Sequence, residues 1–207
     1  MMKVSLKSES DIMVKITSKK AYVAVRYILE KGAFNQLEVS RETGVSIGMV
    51  NRLAKWLIGL GYVAKAASGY ELIMPAALLA TFPLYRKMEN LATATYRLDI
   101  PEQELSALLK KHRAVLCLTS ASQYYDSYIR DPSIHAYSGS GELKKGLGRY
   151  PGGLTSITLY SPDIPLEKDT ETKKGFLLTT SLRTTIDLLC SNKAYAAEHM
   201  IRKRWAK

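Results

Sequence analysis

The chain has 207 residues, enough for one large domain or two small ones that each bury a core. Hydrophobic residues make up 46% and charged residues 24%, a balance that argues against global disorder. The apolar runs are far too short to span a bilayer, and residues 1–20 contain no secretory apolar core, so we expect a cytoplasmic protein without a membrane partner. A net charge of +11 favours an anionic partner, although charge alone does not separate DNA from RNA or an acidic protein.

The residues that could bind metal or perform catalysis are scattered. Cys117 and Cys190 each lie in an apolar run, which predicts two buried thiols rather than a disulfide or metal ligands. The three histidines are too far apart for ligand spacing, and no Ser/His/Asp set or paired carboxylates stand in a suggestive context. We therefore expect no metal, no cofactor and no enzyme activity.

Three helices are predicted in the first part of the chain. The first covers 19–30, with apolar residues at helical spacing, and Lys31-Gly32 is typical of its C-terminal end. A short second helix covers 36–43 and stops at Gly44. Ser46 is a good N-cap for the third helix, 46–60, which carries an apolar stripe.

The spacing across the second and third helices is that of a helix-turn-helix. Ser40 is a small residue where the two helices cross, and Gly44, four residues later, tolerates the positive φ that the turn needs. Val50 and Leu53 supply the inner face of the following helix. A hairpin with its turn at 67–69 then occupies about 62–73. Over about 19–74 the chain resembles winged-helix regulators, in which this hairpin is the wing.

The resemblance implies that helix 46–60 enters the major groove of DNA. Its outward residues predict the contacts, with Arg52 suited to guanine and Asn51 to adenine. The candidate DNA-binding residues are Ser46, Ile47, Gly48, Asn51, Arg52 and Lys55, together with Lys65 in the wing. The alternative is that the polar members form an ordinary solvated helix face.

The local charge of this region is also compatible with a protein as the binding partner. Residues 32–73 contain four basic and three acidic side chains, so this region is only weakly positive, although 44–70 has three bases and no acid. Further positive charge would come from Lys19 and Lys20, which we predict to contact the nucleic-acid backbone.

The sequence pattern in the second half of the chain predicts an α+β domain with a small sheet. A helix starting at Pro75 is limited by Pro83, and 85–91 could extend it. The expected strands are 93–98, 114–118, 133–137, 154–160 and 176–178. The expected helices are 101–111, 181–190 and 194–204. A further helix is expected to be capped by Thr119 or Ser120 and to run to 128. The domain boundary is predicted between 91 and 92, giving domains 1–91 and 92–207.

Two groups of charged residues in this half could have either a functional or a structural role. Residues 138–153 combine glycines with Lys144, Lys145 and Arg149 but fail the phosphate-loop pattern, so we expect a flexible basic loop that could contact nucleic-acid backbone. Arg183 and Asp187 share a helix face, and we expect an exposed structural pair contributing about 0.3–0.5 kcal/mol.

Three segments resemble the second domain of the AbiEi-like antitoxins. They are Arg113-Ala-Val-Leu-Cys-Leu-Thr-Ser-Ala-Ser, Ser133-Ile-His-Ala-Tyr and Leu178-Thr-Thr-Ser-Leu-Arg-Thr-Thr-Ile-Asp-Leu-Leu. Ser181 departs from the family, where proline is common. The resemblance implies a repressor of its own promoter that also antagonises a nucleotidyltransferase-like toxin.

These observations predict a sequence-specific double-stranded DNA-binding transcriptional regulator with an N-terminal winged helix-turn-helix domain and an α+β C-terminal domain. The expected action is that of a repressor and antitoxin-like autoregulator. The alternative is a protein- or RNA-binding module that neutralises a toxin partner without specific DNA reading. Both a monomer and a homodimer remain open.

Overall fold

A computed structural model of the chain describes residues 14–126 and 128–205. The chain divides into two compact units, Met1–Leu78 and Leu79–Lys207, which are described separately below. The fold is mixed α+β, with one sheet of three strands and one of six. Within the described residues, no helix has the length and apolar character needed to cross a membrane.

The described part of the first unit contains three helices and a small antiparallel sheet, followed by the start of a short fourth helix. Its elements in chain order are α1 (Lys19–Lys31), β1 (Ala33–Phe34), α2 (Gln36–Thr43), α3 (Ile47–Gly59), β2 (Val63–Ala66) and β3 (Gly69–Leu72). Strand β3 lies in the middle of the sheet and pairs antiparallel with both β1 and β2. The short helix α4 (Pro75–Leu79) follows. The three predicted helices and the hairpin are therefore present close to their expected bounds.

The helices of the first unit bury the apolar residues that the sequence spacing selects. In α1 these include Ala21, Val25 and Ile28, and in α3 they include Val50 and Leu53, all at most 1% exposed. Because residues three and four apart share a helix face, one stripe from each helix reaches the core while the opposite side stays in solvent.

The second unit starts with two 3₁₀ turns and then alternates strands and helices. The turns are Phe82–Leu84 and Met88–Leu91. The strands are β4 (Ala92–Leu98), β5 (Val115–Leu116), β6 (Ile134–Tyr137), β7 (Thr155–Tyr160), β8 (Thr170–Lys173) and β9 (Phe176–Thr179). The helices are α5 (Glu102–Lys111), α6 (Leu118–Ser122), α7 (Gly141–Leu147), α8 (Ser181–Leu189) and α9 (Ala194–Trp205).

The six strands form one mixed sheet in the order β4-β7-β6-β5-β9-β8. The pairs β6–β7 and β5–β9 are parallel and the other three pairs are antiparallel. Alternate residues of a strand point to opposite faces, so Ala136 and Leu159 join the apolar cluster that includes leucines of α5 and α7. On the same strands His135, Tyr137 and Tyr160 alternate with these apolar residues, which gives the other face of the sheet a polar lining.

The sheet is larger than expected because one strand was missed. Strand β8 has the sequence Thr-Glu-Thr-Lys, with neither an apolar alternation nor a β-branched run long enough to stand out. It is held at the sheet edge by antiparallel pairing with β9. The predicted strand 114–118 shrinks to two residues, since a helix already begins at Leu118.

Two further local predictions are wrong. The helix expected to run from Thr119 or Ser120 to 128 starts at Leu118 and ends at Ser122. The region 138–153, expected to be a flexible loop, contains helix α7. The Ser140 side chain caps that helix by accepting a hydrogen bond from the Leu143 N–H, and its leucines are fully buried, so core packing orders this part of the region.

The units divide earlier than the predicted boundary between 91 and 92. The second unit begins at Leu79, and two hydrogen bonds connect its first residues to its last part. The Met88 N–H donates to the Cys190 carbonyl at 2.8 Å, and the Arg86 guanidinium donates to the Asp187 carboxylate at 2.8 Å. The segment 85–91 therefore does not extend the helix that starts at Pro75, and its last four residues, Met88–Leu91, form a 3₁₀ turn of that unit.

Candidate nucleic-acid interface

A three-residue turn at 44–46 joins α2 to α3. Gly44 adopts φ +69°, a left-handed conformation that glycine reaches without strain, and its N–H donates to the Ser40 carbonyl at 2.9 Å. The Ser40 hydroxyl donates to the Val45 carbonyl at 2.7 Å, which ties the small residue of α2 to the turn. The two positions selected from the sequence thus make the turn that directs α3 away from α2.

The outward side of α3 is a stripe of four exposed residues. Opposite the buried Val50, Leu53 and Leu57, the helix presents Gly48, Arg52, Lys55 and Gly59. Ser46 and Ile47 are also exposed at the start of this helix, and the Ile47 side chain is 49% exposed. We call Ser46, Ile47, Gly48, Arg52 and Lys55 the α3 face.

Asn51 lies beside this face, half-buried, with a partner inside the protein. Its side-chain oxygen accepts a long hydrogen bond of 3.5 Å from the Gln36 amide, which also donates to the Tyr70 hydroxyl at 3.0 Å. One side chain of α2 therefore connects the recognition-helix candidate to strand β3. Sequence reasoning missed Gln36 and Tyr70 because they are 34 residues apart and no local pattern relates them.

Three cations on α3 and the hairpin differ from two nearby arginines, because they have no acidic partner among the described residues. Arg26 pairs with Glu30 at 3.0 Å and Arg41 pairs with Glu42 at 3.1 Å. Arg52, Lys55 and Lys65 form no ion pair with any residue that the structure describes, and all three are exposed. Positive charge without a partner among the described residues is available to an external anion.

The other predicted backbone contacts fall in different places. Lys19 and Lys20 are exposed in the first turn of α1, in the same unit as α3. Lys144 and Lys145 lie on α7 in the second unit, where Lys145 pairs with Glu142 at 2.9 Å. Arg149 follows this helix and is exposed.

The second unit contains a buried ionic cluster where an exposed pair was expected. Arg183 and Asp187 are both fully buried on α8, so the prediction of an exposed pair is wrong. One carboxylate oxygen of Asp187 accepts from Arg183 at 2.9 Å and from Arg86 at 2.8 Å. Both guanidinium groups also donate to the Tyr137 hydroxyl, at 3.2 and 2.7 Å. The partners at the edge of the cluster are Asp163 for Arg86 and Asp169 for Arg183.

Burial and the neighbouring charges shift the pKa values of three groups in and around this cluster. Burial opposes the charge of Arg86, but the Asp187 carboxylate holds its pKa well above the usual value. Burial raises the pKa of the Cys117 thiol and of the Tyr137 hydroxyl, which disfavours a thiolate or phenolate. The cluster therefore has the properties of an internal structural network that joins four parts of the chain: the segment around Arg86, strand β6, the residues between β7 and β8, and helix α8.

Comparison of the chain with protein-family models, with characterised proteins and with solved structures finds no match. The resemblances to winged-helix regulators and to AbiEi-like antitoxins remain expectations drawn from the motifs.

Proposed function

We propose that the protein is a sequence-specific double-stranded DNA-binding transcriptional regulator. In this proposal the first unit is a winged helix-turn-helix, α3 is the recognition helix and the β2–β3 hairpin is the wing. The element order α1-β1-α2-α3-β2-β3, with a glycine turn between α2 and α3, supports the assignment. The observation that carries it is the exposed, acid-free α3 face, whose cations have no partner among the described residues.

The α3 face has the chemistry that the major groove requires. The groove admits one α-helix, and an arginine can donate two hydrogen bonds to a guanine edge. Arg52 is central on the exposed stripe and is the best candidate for this role. Lys55 and Lys65 suit phosphate groups, which position a protein on the duplex without reading its sequence.

The regulatory action proposed is repression of the protein's own promoter, as the antitoxin-like motifs of the second unit imply. A toxin partner for that unit is part of the same proposal. The number of cations that reach phosphate predicts how steeply the affinity falls with salt, because each neutralised phosphate contributes about −0.9 to the slope of log K against log salt. Lys19, Lys20, Lys55 and Lys65 together predict a slope of about −3 to −4.

The test is selection of duplexes from a randomised DNA pool by the purified full chain, followed by fluorescence anisotropy across a salt series. We expect a consensus to be enriched, and Arg52→Ala to relax the preference at one base pair at a cost of about 1–3 kcal/mol. Arg97→Ala is the matched control, since Arg97 is an exposed arginine of the second unit outside this face. It should leave the consensus unchanged.

Two results would contradict the proposal. Equal, steeply salt-dependent affinity for every duplex would mean attraction to the backbone alone. No binding at moderate salt would exclude DNA as the ligand of the isolated protein and favour a protein or RNA partner.

A further inference from the structure

The second unit has a cavity of about 220 Å³ at one edge of its six-stranded sheet, which we call the strand-end cavity. Strands β6 and β7 are parallel and pair Tyr137 with Tyr160, so the residues that follow the two strands meet at the same edge. Strand β5 is antiparallel to β6 and pairs Val115 with Tyr137, which brings the residues before β5 to that edge as well. Three separate parts of the chain therefore line the cavity: residues 112–113, residues 137–140, and residues 162 and 166.

The segment β6-α7-β7 is a βαβ unit, because α7 connects two parallel strands that are neighbours in the sheet. In sheets with parallel strands, ligands bind outside the carboxyl ends of those strands. The loop at this end of β6 is Ser138-Gly139-Ser140, and all three residues line the strand-end cavity. This loop contains no lysine or arginine, and the cation in the lining comes from another part of the chain.

Arg113 supplies that cation, and it forms no ion pair with any residue that the structure describes. The lining of the strand-end cavity contains no acidic residue. Two other cavities of the unit each have a carboxylate in their lining, Asp131 in one and Glu102 in the other. The segment between β7 and β8 carries Asp163 and Asp169, but both of these carboxylates are bound to buried arginines. The charge that faces the cavity is therefore positive and available to an anion.

The neutral polar groups of the lining can donate hydrogen bonds. The Ser138 hydroxyl accepts from the Ser140 N–H at 3.2 Å, and no acceptor among the described residues takes its own proton. Within the same described ranges, the Gly139 N–H has no acceptor. The His112 imidazole lies beside these groups, with its Nδ1 3.5 Å from the Ser140 hydroxyl oxygen. An arginine beside several neutral donors is suited to phosphate, whose oxygens accept hydrogen bonds from more directions than the two coplanar oxygens of a carboxylate.

We propose that the strand-end cavity binds the phosphate group of a small phosphorylated molecule. Arg113 is the residue that carries most of the affinity, and the Ser138 hydroxyl and the Gly139 N–H donate to the remaining phosphate oxygens. The volume of about 220 Å³ is below the range of about 300–1,000 Å³ that holds drug-sized ligands, so the cavity suits one phosphate group with a few atoms attached. The site lies within the second unit and does not depend on the DNA binding proposed for the first.

The Arg113 side chain can be removed in a way that favours the fold. Arg113 adopts φ +50° at the end of α5, where the Ala114 N–H donates to the Leu109 carbonyl at 2.9 Å, a type of helix end that prefers glycine. Arg113→Gly therefore removes the guanidinium group and relieves a strained backbone. Lys174 offers a matched control, because it is an exposed cation with φ +48° in the turn between β8 and β9. It lines the cavity that contains Asp131 instead of the strand-end cavity.

The test is isothermal titration calorimetry of the full chain with inorganic phosphate and with glycerol 3-phosphate, using glycerol and acetate as comparison ligands. We expect both phosphates to bind more tightly than acetate, and glycerol not to bind. Arg113→Gly should weaken phosphate binding by about tenfold or more, because it removes the charge-assisted hydrogen bonds to the anion. Lys174→Gly should bind phosphate like wild type. Both variants should keep or raise the midpoint of thermal unfolding, since glycine adopts a positive φ without strain.

Several results would overturn this proposal. The site is wrong if the wild-type chain binds neither phosphate at millimolar concentration, or if Arg113→Gly binds both as tightly as wild type. A loss of binding in Lys174→Gly alone would place the anion in the other cavity. Equal affinity for acetate and phosphate would mean that the cavity holds any small anion. Weaker binding of duplex DNA by Arg113→Gly would mean that this arginine contacts the nucleic-acid backbone instead of a small molecule.

Discussion

Replacing Asp187 by asparagine should destabilise the second unit far more than the loss of an ordinary helix ion pair. Asp187 is fully buried, and one of its oxygens accepts hydrogen bonds from both Arg86 and Arg183. Asparagine keeps the shape of the side chain but removes the negative charge. The two guanidinium groups would then face each other across a neutral amide, with Asp163 and Asp169 as their remaining carboxylates.

The size of the effect follows from the distances and the burial. Two unit charges about 4 Å apart attract by about 4 kcal/mol at the effective dielectric constant that reproduces protein data, so two pairs give about 8 kcal/mol before desolvation. Part of this is offset, because the neutral amide no longer carries the cost of burying a carboxylate. Removing one partner of a buried pair typically costs about 3–5 kcal/mol, a large share of the 5–15 kcal/mol that stabilises a domain.

Urea unfolding followed by tryptophan fluorescence can assign this loss to the second unit. The chain has two tryptophans, Trp56 in α3 and Trp205 in α9, a helix that packs on α8. In a Trp56→Phe background, Trp205 is the remaining fluorophore. The control is Glu198→Gln, because Glu198 and Arg202 form a pair with the same four-residue spacing but with side chains 70% and 78% exposed. We expect that control to change stability by at most about 0.5 kcal/mol.

A loss for Asp187→Asn no larger than that of the Glu198→Gln control would refute the reasoning. It would mean that Asp163 and Asp169 compensate the charge of both guanidinium groups without the shared aspartate.

Three other outcomes are expected. Gly44→Ala should destabilise the first unit by about 1–2 kcal/mol in urea unfolding, because alanine is strained at the positive φ of the turn; an unchanged midpoint would contradict the geometry. Burial raises the pKa of the Cys117 thiol, and raises that of Cys190 to about 11, so iodoacetamide at pH 8 should label neither thiol before unfolding, as mass spectrometry would reveal. The hydrogen bond to the Glu38 carboxylate raises the pKa of Tyr27 from 10.0 to about 12, so its contribution to stability is complete below pH 10 and is lost as the pH rises toward 12. Ultraviolet titration should follow this ionisation, and Tyr27→Phe should remove that part of the alkaline loss of stability.

Much of the first unit could be predicted from the sequence because its determinants are local. The apolar spacing of α1 and α3 depends on residues three and four apart, and a glycine that ends a helix acts at its own position. The outward side of α3 follows once its inward side is known, which is why the exposure of Arg52 and Lys55 could be predicted. The link from Asn51 through Gln36 to the third strand was not accessible, since it depends on how the hairpin packs against the helices.

In the second unit the sequence by itself determined where most strands and helices lie, and the tertiary structure decided how they are joined and what they bury. The parallel pairing of β5 with β9 brings together residues about sixty positions apart, and no local signal encodes that choice. Arg183 and Asp187 have the spacing of a surface ion pair, but the same packing buries them. They form the centre of a buried cluster in which Asp187 also accepts a hydrogen bond from Arg86. Residue spacing along a helix determines which side chains can meet, whereas burial depends on every element packed around them, and that is a property of the whole fold.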